Sequence, residues 1–245
     1  MKKRMIIYYA LLLLGFISCR KYDLEGKTPE EVYAHFYSIF SNDDIGRSDL
    51  IDAIDLVESA YKTFPNDFRI IKLRSISLAK LANLYLLQKD NEQAEKFANL
   101  SIELDKSNTD ARHTLSYIYW ARGEVEKTLE QNKKILKIDQ NDYHAASDIG
   151  FISCVNNRHK DSIKYSLLAL KLFPESPVYE EDKKKKLQLI FCVGYSNHFV
   201  GQDQMAGIYL ADFLDQAKNF KTWDSKFPQY IISAEVIMKN IKANK

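Results

Sequence analysis

From residue 28 onward, apolar residues return at three- and four-residue steps and polar residues fill the positions between them. The stretch GEVEKTLEQNKKILKIDQND, residues 123–142, is typical: it opens on a glycine, carries apolar side chains at helical spacing and leaves through a polar Asp-Gln-Asn-Asp cluster. Glycine and proline are scarce inside the long segments, and no run alternates with period two between hairpin turns. That pattern predicts an all-α chain.

The same stretch has copies. KDNEQAEKFANLSIELDKSN starts at Lys89 and NRHKDSIKYSLLALKLFPES at Asn157, so the three starts, 89, 123 and 157, are 34 residues apart. Another amphipathic helix precedes each copy: SLAKLANLYLLQ, ARHTLSYIYWAR and AASDIGFISCVN. Small residues recur in pairs twelve apart: Ser41 with Ala53, Ala82 with Ala94, Ser116 with Thr128, Gly150 with Ser162, and Gly194 with Ala206. A small residue on each helix lets two axes approach within the usual 8–10 Å. The spacing therefore predicts that each pair marks a helix crossing.

A 34-residue period of paired helices with small residues at the crossing resembles the tetratricopeptide repeat. Leu81, Leu115, Ile149 and Val193 stand at the apolar site before the small residue, and Tyr85 and Tyr119 match the family's aromatic site, from which Ser153 and Asn197 depart. The resemblance implies a right-handed α-α superhelix, a solenoid of about five helical pairs over residues 28–217. Repeats 77–110, 111–144 and 145–178 are clear, and 28–67 and 179–217 are degenerate. The seven extra residues between Ser41 and Ala82 nearly restore the helical face, so DFRIIKLRSISLAKLANLYLLQ is expected to be one helix lengthened at its start. The ten extra before Gly194 predict an extended connection around Pro174 and Pro177. Residues 218–245 are expected to supply a capping helix with Ile231, Ala234, Met238 and Ile241 on one side, because a solenoid must cover its last apolar face.

The N-terminus belongs to no repeat. MKKRMIIYYALLLLGFISC joins a basic start to an apolar run too short to span a bilayer and ends in a small residue before Cys19. It reads as a signal peptide over 1–18 and resembles a bacterial lipobox, with Phe16 where that box carries Leu. The resemblance implies that Cys19 carries lipid and that residues 19–27 form a tether. The alternatives are an ordinary signal peptide cleaved nearby or an uncleaved anchor. Arg20, in place of Asp, resembles lipoproteins sent to the outer membrane. Removing Lys2, Lys3 and Arg4 takes the formal charge from +2 to −1, so no bulk positive field is left for nucleic acid. Thr28, Pro29 and Glu31 predict a capping box where the fold begins. Cys154 and Cys192 are expected to be buried apolar residues rather than part of a disulfide framework.

Catalytic and metal motifs are absent from the sequence, and the five histidines are dispersed, so no enzyme, cofactor or metal is expected. One stripe stands out instead. In tetratricopeptide-like solenoids the first helices of the pairs line the concave surface. Positions i, i+4 and i+7 of those helices give Ala79, Asn83 and Leu86; His113, Tyr117 and Trp120; Ser147, Phe151 and Cys154; and Phe191, Tyr195 and His198. Two readings stay open: the protein's own helices cover the rings, or the rings line a partner groove. The second names Asn83, His113, Tyr117, Trp120, Phe151, Phe191, Tyr195 and His198 as partner-binding residues. The family resemblance implies an adaptor for a protein or peptide partner, here tethered in a bacterial cell envelope and facing the periplasm. Glycan capture on the aromatic residues, or an immunity-type protein that blocks a toxin, are the alternatives.

Overall fold

Thr28 sets the first helix in place. Its backbone N–H donates to Glu31 Oε2 (2.8 Å) while the Glu31 N–H donates to Thr28 Oγ1 (3.3 Å), the reciprocal cap that the sequence predicts, with Pro29 as first helical residue. The structure is a computed structural model that describes residues 22, 24–40, 47–173, 180–218 and 227–243. The expectations for residues 1–18, Cys19, Arg20, Ser41, Pro174 and Pro177 fall outside the described residues.

Among the described residues there are eleven α-helices and no strand: α1 (Pro29–Phe40), α2 (Arg47–Thr63), α3 (Phe68–Leu87), α4 (Asn91–Leu104), α5 (Thr109–Ala121), α6 (Val125–Ile138), α7 (Tyr143–Val155), α8 (His159–Leu172), α9 (Glu180–Phe199), α10 (Asp203–Lys218) and α11 (Phe227–Ala243). They divide into two units, residues 1–118 and 119–245.

The hairpin turns keep the register of the repeat in their backbone. Lys89, Gly123, Asn157 and Gly201 all have positive φ, at 64°, 75°, 58° and 78°. After each of them the next residue's N–H donates five residues back: Asp90 to Tyr85 O, Glu124 to Tyr119 O, Arg158 to Ser153 O and Gln202 to Asn197 O. A left-handed residue followed by this bond closes the last turn of the first helix and reverses the chain into the second. Entry to the first helix of a pair repeats too: Asn108 Oδ1 accepts from Ala111 N (3.1 Å) and Asp142 Oδ1 from Ala145 N (2.8 Å). Asp67 caps α3 in the same way, and α3 runs 20 residues, so the extra residues before Ala82 do lengthen that helix at its start.

In the first unit, Val32 and Phe36 of α1 meet Ala53, Leu56, Val57 and Ala60 of α2 and Ile70 and Leu73 of α3 around one core. A fully buried Phe or Leu here contributes about 1.5–3 kcal/mol by leaving water. α3 and α4 pack as a hairpin in which Ala82 and Ala94 are both buried and Tyr85 stacks on Phe97 at 5.3 Å. A buried polar set also ties this unit together. Ser101 Oγ donates to Ser75 O (2.8 Å), Ser75 Oγ to Ser101 O (3.0 Å), and Asn108 Nδ2 to Ser75 Oγ (2.9 Å).

In the second unit α7 packs on α8 and α9 on α10. Gly150 and Gly194 do sit at close crossings, but their partners differ from those expected. A Cβ placed on Gly150 would lie 2.5 Å from Ser166 Oγ and 2.8 Å from Ser166 N, and one on Gly194 would lie 2.7 Å from Leu210 Cγ. Ser162 and Ala206, the residues twelve positions on, are buried one helical turn earlier. Phe227, Ala234, Ile237 and Ile241 of α11 join the core that holds Phe191, Leu210 and Phe213, with Ile231 and Met238 half-buried against it.

Candidate functional site

In the first unit α3 and α5 enclose a cleft of about 300 Å³. α3 supplies Ala79, Lys80, Asn83 and Leu86, and α5 supplies Asp110, His113, Thr114 and Tyr117. Helical geometry explains the grouping: 79, 83 and 86 lie on one face of α3, and 110, 113, 114 and 117 on one face of α5. Asn83, His113 and Tyr117, all expected to bind a partner, therefore line one cleft, Asn83 from α3 and the other two from α5. Tyr117 is 62% exposed although it is aromatic, and its neighbour Ile118 is buried. The cleft is mixed in character, with Leu86 and the Tyr117 ring as apolar surface and Asn83, His113 and Thr114 as polar groups. Lys80 Nζ and Asp110 Oδ2 pair at 3.0 Å across its mouth, both well exposed. The stripe of sequence positions missed Lys80, Asp110 and Thr114. They lie beside it on the same helices and were hidden by the restriction to a single row of side chains.

The other expected binding residues belong to the second unit, where they have different surroundings. The Trp120 ring, 38% exposed, meets Phe151 edge-on at 6.5 Å. Phe191 is only 5% exposed, its ring 4.8 Å from that of Tyr230 on α11 and 5.4 Å from Phe213. For this residue the terminal helix covers the ring, and the groove reading is corrected: Phe191 is core. Tyr195 is half-buried between Phe191 (5.4 Å) and Phe199 (4.7 Å). His198 Nδ1 lies 2.7 Å from Asp203 Oδ1, a bond that joins the end of α9 to the start of α10.

Sequence reasoning also missed His159 and Phe199, whose rings stack at 4.8 Å and 9°. Burial holds the His159 pKa below the ordinary imidazole value, and its Nδ1 has no hydrogen-bond partner. Nothing in the periodicity marks His159, since it is the first residue of a second helix and lies off the stripe. Among the described residues no three His, Cys, Asp or Glu side chains gather as a metal site would require. The chemistry on offer is hydrogen bonding, ring contact and one exposed ion pair.

No family model matches the chain, and no curated protein matches it. Solved structures do. Two crystal structures of MamA, a tetratricopeptide-repeat protein, are similar to it: one at 15% identity over 70% of this chain and 91% of that one, with TM-score 0.50, the other at 15% identity over 80% and 99%, with TM-score 0.51. Identity this low speaks to fold alone, and the fold agrees with the helix pairs, the 34-residue register and the repeated left-handed turns described above. The chain has the all-α fold of the tetratricopeptide-repeat type.

Proposed function

We propose that this chain is a non-catalytic adaptor that holds a protein partner by an extended peptide segment lying in the cleft between α3 and α5. The observation that carries this is the convergence of Asn83, His113 and Tyr117 on one cleft, with an exposed aromatic ring beside amide and imidazole groups. An extended peptide leaves backbone N–H and C=O groups to satisfy, which Asn83 and His113 suit, and a side chain to bury, which Tyr117 and Leu86 suit. We infer further that Cys19 carries the lipid that tethers the adaptor in the bacterial envelope, at the outer membrane facing the periplasm, on the strength of the leader before it and Arg20 after it.

The test is crosslinking and affinity capture from native membranes with the wild-type chain and with Asn83→Ala/Tyr117→Ala. Loss of a central aromatic anchor costs about 2 kcal/mol or more, roughly a 30-fold weaker complex, so the double variant should lose its partner. Unchanged capture by a variant with wild-type helical content sinks the cleft reading. Glycan binding that vanishes in the same variant, with no protein captured by either form, replaces the peptide with a sugar. Fatty-acid labelling that persists in Cys19→Ala removes the anchor.

A further inference from the structure

Cys154 on α7 and Cys192 on α9 are free thiols, 4% and 1% exposed. The sequence suggested apolar filling, and both do lie in the core cluster of the second unit. Their immediate surroundings are polar, however. The two thiols are near enough to perturb each other, and the hydroxyls of Ser162 and Ser196 act on Cys154 as well. Those hydroxyls are buried and outside good hydrogen-bond geometry with any partner. A core that needed only volume here would be better served by alanine or valine, because each unsatisfied buried hydroxyl costs about 1–3 kcal/mol.

We propose that Cys154 and Cys192 form a dithiol site that takes a disulfide oxidant, and that oxidation closes a Cys154–Cys192 bond stapling α7 to α9. Three features support it. The cysteines sit on separate helices that pack directly on each other, and both belong to one buried core. The bond would enclose the chain from 154 to 192, the interval that holds the ten residues in excess of the repeat, so it would fix α9 against α7 where the sequence register is weakest. Cys154 is also the penultimate residue of α7, followed by exposed Val155 and Asn156, so opening of one helical turn uncovers its sulfur.

The two thiols are chemically unequal. Hydrogen bonding to Cys192 holds the Cys154 thiol below the ordinary cysteine value, while burial pushes Cys192 up. Cys154 is therefore the attacking group. Its thiolate displaces one sulfur of a small or protein disulfide, giving a mixed disulfide and one released thiol. Cys192 then loses its proton and attacks Cys154 Sγ, releasing the second thiol. Two protein thiols and one disulfide become one protein disulfide and two thiols. The pair belongs to the second unit and the cleft to the first, and the pair's chemistry does not involve Cys19, so its test stands whatever becomes of those readings.

The folded full-length chain would be incubated in oxidised glutathione, then denatured, alkylated and mapped by mass spectrometry. A linked Cys154–Cys192 peptide, lighter by two hydrogens, is expected, together with a rise in the thermal midpoint of the second unit on the order of 10 °C that dithiothreitol reverses. Cys154→Ser and Cys192→Ser should show no such shift. Should either variant fail to fold, the peptide map of the wild type still decides. Free alkylation of both residues after that incubation, or capture of each by glutathione instead of by the other, overturns the proposal.

Discussion

The four left-handed turn residues invite a test in which similar exchanges should have opposite signs. An L side chain at positive φ brings its Cβ against the backbone at a cost of about 1–2 kcal/mol. Glycine escapes that cost but gives back about 0.4–1 kcal/mol through the greater freedom of its unfolded chain. For Lys89, at φ 64°, the difference predicts that Lys89→Gly stabilises the protein by about 0.5–1 kcal/mol. For Gly123 the sign reverses. A Cβ at Gly123 would meet nothing within 4 Å, so Gly123→Ala carries only the conformational cost and should destabilise by the same amount. Asn157→Gly should be nearly neutral, because asparagine tolerates this region. Urea titrations followed by circular dichroism read the midpoints, with the slope held constant as a check that only stability has changed. Lys89→Gly lowering the midpoint, or Gly123→Ala leaving it unmoved, would refute the claim that backbone conformation sets residue preference at these turns.

Three further outcomes follow from the geometry. Gly150→Ala should destabilise by about 1–3 kcal/mol, since its Cβ would meet Ser166 main chain as well as side chain, whereas Gly207→Ala, with open space around it, should be stabilising; thermal melts of both distinguish close packing from helix propensity. Ser101→Ala removes one bond of the buried Ser75–Ser101 exchange and should cost about 1 kcal/mol by denaturant unfolding. Asp55 has its pKa raised to about 6, chiefly by burial and then by Asp52 and Glu58. Between its unfolded value and about 6 the folded state binds the extra proton, so stability contributed by the protonated acid falls as pH rises through that window. Asp55→Asn should remove this slope and leave the protein about 1 kcal/mol more stable at pH 7, a modest figure because Asp55 keeps part of its solvent. A pH series of unfolding midpoints with the same slope in both proteins would contradict this.

Local rules carried most of the fold. The 34-residue step is visible because Lys89, Gly123 and Asn157 occupy the same turn position, and the capping box at Thr28 because its two bonds lie within four residues. What the sequence left unresolved depends on contacts between distant segments. Ser162 and Ser166 share one face of α8, so periodicity puts the correct face against Gly150, while the length of the hairpin turn selects the turn of helix that touches it. Phe191 reads as a surface ring because its cover comes from Tyr230, far along the chain. In the cleft, Asn83, His113 and Tyr117 were legible as a stripe, but Lys80 and Asp110 needed the rotation of α3 against α5, which no single helix encodes.

The burial of Phe191 beneath α11 bears on how the protein is made. The core around Phe36 draws its buried members from residues 24–73 and is complete early in synthesis. The core around Phe191 includes Phe227, Ala234, Ile237 and Ile241, which leave the ribosome after every other buried member of that core. Vectorial delivery from the N-terminus thus lets the first unit condense while the second still waits with Phe191 and Phe213 uncovered. A nascent chain halted just before Phe227 would present those rings to chaperones, and emergence of α11 is the event that ends their engagement.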